Sequence, residues 1–161
     1  MTIPTIDRHA PDPADVRDPP PDGVLLAYGP MLPLVIAGIA VWVLPRLWPL
    51  VAIRLSIVWA ALLLAFIGGV RRGFGFARPG ASKVAEIAAA SACLVIALLA
   101  LVSPDPLLSL GVLAAGFLLM ALLDRRAALR GDAPRWFARL RPPQLLFGAA
   151  GLAGSIVWLV T

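Results

Sequence analysis

The chain is poor in the side chains on which much protein chemistry rests. It has one cysteine, Cys93, and one histidine, His9, among 161 residues. A single cysteine permits no disulfide within the chain, and its place amid an apolar stretch says nothing about redox compartment. The lone histidine lies in a polar N-terminal stretch, so no cluster of His, Cys and carboxylate falls inside the apolar segments. That distribution argues against a haem, zinc or iron–sulfur site, and no cofactor is expected. Charge is scarce as well, at 14% of residues against 60% hydrophobic. Soluble domains carry about 25% charged residues, so this deficit excludes a water-soluble globular protein. No Gly-x-x-x-x-Gly-Lys phosphate cradle occurs, and no apolar stretch holds a histidine to activate a serine. The chain therefore reads as non-enzymatic.

What the chain does have is five long apolar stretches, at about 24–44, 50–70, 84–102, 107–123 and 144–160. Each is long enough to cross a hydrocarbon core of ~30 Å as a helix. The expected fold is an all-α integral membrane protein, a bundle of five transmembrane helices. Residues 1–23 hold six prolines and five aspartates and no apolar run. Such a segment buries too little surface to offset the entropy of ordering, and a disordered tail is expected. It lacks the basic region and adjoining apolar core of a signal peptide, and it is too acidic for a transit peptide, so the first span reads as an uncleaved anchor.

Proline and glycine punctuate the rest. Pro30 and Pro33 fall in the first half of span one and should kink it. Pro49 is placed to open span two, and Gly68-Gly69 to end it. Ser82 is a candidate cap for span three, and Asp105 before Pro106 one for span four, whose helix could run on to Arg130 before Gly131 stops it. After Asp132, a short helix is expected with Trp136, Phe137 and Leu140 on one face and Arg135 and Arg139 on another. Pro142-Pro143 should stop it, which gives an interfacial helix between spans four and five.

Net charge is +5, and thirteen of the fourteen basic residues are arginine. That bias, with heavy alanine usage, suggests a GC-rich bacterial genome. Twelve Lys and Arg fall in the tail and the second and fourth loops, against Arg46 and Arg54 on the other side. The positive-inside rule then places the N-terminus in the cytoplasm and the C-terminus in the periplasm of a bacterial inner membrane. The basic residues are topology determinants in this reading, and no nucleic-acid partner is expected.

Three segments together carry a resemblance. They are Leu26-Ala27-Tyr28-Gly29-Pro30-Met31-Leu32-Pro33, the run from Trp59 through Phe66-Ile67-Gly68-Gly69-Val70-Arg71-Arg72-Gly73, and Asp124 with Pro134-Arg135-Trp136-Phe137-Ala138-Arg139-Leu140-Arg141. Over about 26–154 the chain resembles the family of unknown function that includes transmembrane protein 69, found in bacteria and mitochondria. The resemblance implies a five-helix domain in which Pro30, Pro33, Phe66, Gly68 and Gly69 are packing positions, and it implies no activity. This sequence has Trp59 where family members often have tyrosine, and Arg71-Arg72 where they have His-Trp.

Four groups of residues are site candidates. Arg71, Arg72, Lys83, Glu86, Asp124, Arg125 and Arg126 lie at the ends of spans two, three and four on one side. Of these, Arg71, Arg72, Glu86 and Asp124 form a candidate anion or headgroup contact, weighed against plain topology signal with structural pairing. Trp136, Phe137, Arg139 and Arg141 form a candidate partner dock, weighed against a lipid-facing linker. The broken helix at Tyr28–Pro33 is a transporter signature when it lies mid-membrane, and here it lies near the end of a span. Gly148, Gly151, Gly154 and Ser155, with Ala88, Ser91 and Ala92, allow close helix approach, within the chain or in a homo-oligomer. Arg54 is shallow enough to snorkel outward. The leading functional expectation is an accessory or assembly factor of a larger membrane complex, with the bilayer and a membrane protein as partners. A small oligomeric transporter or channel is the runner-up, and a lipid enzyme the third.

Overall fold

A computed structural model of the chain describes residues 21–77, 83–130 and 136–161. The tail before residue 21, the Ser82 cap, and Gly131, Asp132, Pro134 and Arg135 lie outside the described residues. Among the described residues the regular structure is all helix, with no strand. Helix α1 (Pro21–Tyr28) passes through a 3₁₀ turn (Gly29–Met31) into α2 (Leu32–Val43). Then follow α3 (Trp48–Ala77), α4 (Lys83–Val102), α5 (Pro106–Arg130) and α6 (Phe137–Val160). Five stretches are long and apolar enough to span a membrane, the first running from α1 through α2 and the others lying in α3 to α6.

Local chemistry sets the breaks. Pro30 and Pro33 each lack a backbone donor, and the chain tightens to a 3₁₀ turn around Pro30 while Pro33 sits in the first turn of α2. The carbonyl of Pro30 accepts a hydrogen bond of 2.8 Å from the Trp59 indole Nε1 on α3, so the kink is tied to a neighbouring helix. Pro49 is the second residue of α3. Asp105 caps α5, its Oδ1 accepting the Leu107 N–H at 2.9 Å. Arg54 is exposed and donates to the Pro104 carbonyl at 3.2 Å, which pins α3 to the α4–α5 turn.

Three expectations are corrected. Gly68-Gly69 does not end the second helix, which runs on to Ala77 and carries Arg71 and Arg72 as helical residues. Glycine weakens a helix by about 1 kcal/mol relative to alanine, and packing outweighs that here. A Cβ on Gly68 would lie 2.9 Å from Cβ of Cys93, so α4 crosses α3 closely at this point. Pro142-Pro143 does not stop a separate interfacial helix. Residues 137–143 are the opening turns of α6 itself, with both prolines inside it. Leu140, Arg141, Gln144 and Leu145 are all buried against the bundle, and this packing carries the helix across two missing donors. Finally, Phe66 and Gly69 are not packing positions. Phe66 is 67% exposed and an added Cβ on Gly69 meets open space, because both lie on the face of α3 opposite its buried stripe. Of the prolines, Pro30 is half-buried and Pro33 exposed.

The helices close into a ring in which each packs on its sequence neighbour and α6 returns onto α2, with α3 also touching α5 across the middle. Phe117, Leu113 and Leu110 of α5 fill the centre with Leu64 of α3, Leu34 of α2, and Leu145 and Leu152 of α6. The α2–α6 seam is the tightest. A Cβ on Gly151 would sit 2.5 Å from the Leu34 carbonyl carbon, and one on Gly154 would sit 2.9 Å from the Gly38 carbonyl oxygen. Small residues thus let two backbones touch, as membrane helices do when packing rather than water exclusion drives association. The small-residue face of α6 is therefore used within the chain. Gly151→Val is expected to abolish a monodisperse folded species in detergent gel filtration. Gly111→Ala, whose added Cβ meets nothing within 4 Å, should keep it and gain up to about 1 kcal/mol.

Candidate functional site

Each helix that reaches the arginine-rich end of the bundle buries a stripe at helical spacing. On α3 it runs through Ile57, Ala60, Leu64 and Ile67, and on α5 through Leu110, Leu113, Phe117 and Met120. On α4 it comprises Ala89, Cys93, Ala97 and Ala100, and on α6 Leu145, Ala149 and Leu152. The next inward position at the end of each stripe is charged: Arg71, Asp124, Glu86 and Arg141. Four ionisable side chains are thereby delivered to one point by the same periodicity that builds the apolar core.

They meet there. Arg71 Nε donates to Glu86 Oε2 at 2.8 Å and its Nη2 to Glu86 Oε1 at 3.3 Å, a two-pronged pair between α3 and α4. The same guanidinium donates through Nη1 to Asp124 Oδ1 on α5 at 2.9 Å. The other carboxylate oxygen of Asp124 lies 3.9 Å from Arg141 Nε on α6. Every member is nearly out of solvent, with Asp124 only 3% exposed. Among the described residues, two guanidinium groups thus face two carboxylates. Only arginine has a planar fork that serves two carboxylates on different helices at once.

The seven-residue cluster expected from the sequence is therefore narrower and differently composed. Arg71, Glu86 and Asp124 are in it, whereas Lys83, Arg125 and Arg126 are exposed on the rim. Arg72 is half-buried, about 100° further round α3 than Arg71. Arg141, which the sequence places with the partner dock, belongs instead to the ion-pair network. Trp136 is half-buried, packed with Val70 and Ala138 against Ala127 and Ala128, so it faces the bundle. Arg139 remains exposed, and Phe137 opens α6. Gln144, one turn beyond Arg141 and 4% exposed, has a side-chain oxygen without a hydrogen-bond partner. Sequence reasoning passed over it as the first residue of a span, although a lone polar residue in register with a buried stripe was the available signal.

Chemically, such a network is a clamp. Its attraction offsets the cost of removing four charges from water only while all are present, and deleting one partner of a buried pair costs about 3–5 kcal/mol. Arg71→Ala strands Glu86 and leaves Asp124 only its 3.9 Å contact with Arg141, and a loss within that range is expected in thermal or denaturant unfolding in detergent. Arg71→Lys should recover only part of it, since an ammonium cannot fork. Arg125→Ala on the exposed rim should change stability by less than about 0.5 kcal/mol.

No curated protein and no solved structure matches the chain. A family model described as "Protein of unknown function (DUF3429)" matches residues 19–157, which takes in α1 to α5, most of α6 and all four members of the ion-pair network. A match across this much of the chain identifies the protein as a member of the DUF3429 family.

Proposed function

We propose that this protein is a non-enzymatic accessory or assembly component of a larger membrane complex. The observation that carries this reading is the mutual pairing of Arg71, Glu86, Asp124 and Arg141 among the described residues. Transport across a membrane generally uses intramembrane ionisable groups that change partners along a path. Here the four buried ones are fixed on one another and hold four helices together, a role suited to a rigid scaffold. The rim around them carries exposed Arg125, Arg126, Arg130 and Arg139. A partner with an acidic, membrane-proximal surface complements that rim.

The setting of the reading is a bacterial inner membrane, with the N-terminus cytoplasmic and the C-terminus periplasmic. Supporting it, Arg46 and Arg54 sit at the opposite end of the bundle from the arginine-rich rim.

The test is native mass spectrometry of the tagged full chain, gently extracted at its native expression level. A defined heteromeric mass is expected, and Arg126→Glu with Arg139→Glu should release the partner while leaving the fold intact. A bare monomer or homo-oligomer, together with ion or solute flux by the protein alone in liposomes, would overturn the reading in favour of a small transporter.

A further inference from the structure

Between α4 and the last turns of α5, at the arginine-rich end of the bundle, lies a cavity of about 420 Å³. The wall that α4 gives it is alanine, including Ala85, Ala88 and Ala92, whose methyl groups leave the space between the two helices unfilled. Three arginines line it against one carboxylate, Arg71, Arg126 and Arg130 against Glu86. Both oxygens of Glu86 are held by Arg71, at 2.8 and 3.3 Å, so this pair offers little free charge of either sign. Arg126 and Arg130 differ from it. Both are exposed, and among the described residues neither pairs with a carboxylate. Four residues apart on one helix, they share a face, with Cβ atoms about 5–6 Å from each other, and like charges at this spacing repel unless an anion joins them. The cavity also has depth. Ala92 is six residues beyond Glu86 on α4, about 9 Å further toward the middle of the span at the rise of a helix. The wall thus runs from guanidinium groups at one end to apolar surface at the other.

We propose that this cavity binds one anionic phospholipid, its phosphate between Arg126 and Arg130 and an acyl chain in the alanine trough of α4. Guanidinium groups give phosphate oxygens charge-assisted hydrogen bonds, which are the strong ones, and two of them match one phosphate. Arg71 and Asp124 are committed to the clamp, so the anion contact falls to the two arginines outside it. The trough favours a lipid over free phosphate, because a soluble anion would use the arginines and leave the alanine wall uncovered. Net charge supplies selectivity. Phosphatidylglycerol brings one uncompensated negative charge, whereas phosphatidylcholine carries an ammonium group that the paired arginines repel. The site goes beyond the accessory-component reading and stands without it, since it needs only this chain and a lipid.

The experiment uses the full chain purified in a neutral detergent and titrated with phosphatidylglycerol or phosphatidylcholine of identical acyl chains. Binding is read as lipid adducts in native mass spectrometry and as a shift in thermal unfolding. One tight adduct of phosphatidylglycerol is expected, at least about tenfold stronger than phosphatidylcholine, as charge-assisted bonds from two arginines imply. Arg126→Gln with Arg130→Gln should bring the two lipids within about twofold of each other. Without lipid this variant should unfold at an unchanged temperature, because neither side chain has a carboxylate partner to lose. Lys83→Gln with Arg125→Gln removes the same charge from exposed positions that do not line the cavity, and should keep the preference. Ala88→Leu fills the trough and should weaken phosphatidylglycerol about tenfold by excluding the acyl chain. Glycerol 3-phosphate at equal concentration should give no shift. The proposal is overturned by equal affinity for phosphatidylcholine in the native protein, or by an undiminished preference without Arg126 and Arg130. Equal loss in the Lys83 and Arg125 variant, native affinity in Ala88→Leu, or glycerol 3-phosphate binding as tightly as the lipid would overturn it too.

Discussion

Arg71 is the one residue on which the arrangement of this bundle depends. Its guanidinium holds Glu86 of α4 through two bonds and Asp124 of α5 through a third, and Asp124 in turn faces Arg141 of α6. Apolar side chains pack membrane helices without strong directional preference, since lipid tails are as apolar as leucine. A buried ionic network is directional. It permits one rotation of each participating helix about its axis and one relative depth, because any other setting leaves a charge unpaired where water is scarce. The lock thus supplies a register that the leucine-rich and alanine-rich faces of α3 to α6 do not supply by themselves.

The remaining constraints are complementary to it in position and kind. Helix α2 contributes no charge to the network and is held instead by contact of its backbone with α6 at Gly38, Gly151 and Gly154. Its proline break is tied down by the Trp59 indole. At the far end, the Ser109 hydroxyl donates to the Ala100 carbonyl at 2.8 Å and Arg54 reaches the Pro104 carbonyl, so the α4–α5 turn is fixed by polar bonds as well. One end of the bundle is therefore clamped by charge and the other by turn chemistry, with a close-packed seam between them. A molecule built this way resists rearrangement, which is the property a scaffold or assembly component needs.

Much of this was legible in the sequence because it rests on short-range physics. Five apolar stretches of spanning length read directly as five helices, the kink at Pro30 and Pro33 follows from missing donors, and the Asp105 cap follows from its side chain. The ends of helices were harder. Hydropathy falls at Arg71 and Arg72, so by sequence the second helix finishes at Gly68-Gly69, yet the inward stripe of α3 continues to Arg71. Pro142-Pro143 reads locally as a stop, but burial of Leu140, Arg141 and Leu145 carries α6 across it. The pairing of Glu86 and Asp124 with arginine could be anticipated from the charges at helix ends. That Arg141 belongs to the same network could not, because its place depends on the α5–α6 connection and on which way round α6 docks. Phe66 and Gly69 sit within a recognisable motif, yet the structure turns them to the outside.

The account holds that these four charges are a structural unit whose members are needed together. The most direct measurement compares the unfolding free energy in detergent of Arg71→Met, of Glu86→Gln, and of the double variant. The double removes one positive and one negative charge and leaves Arg141 facing Asp124. If the network is a mutually dependent clamp, the double variant is more stable than Arg71→Met alone, because no carboxylate of α4 is then stranded. If the two losses simply add, the charges act independently and the clamp is not what sets the register of the bundle.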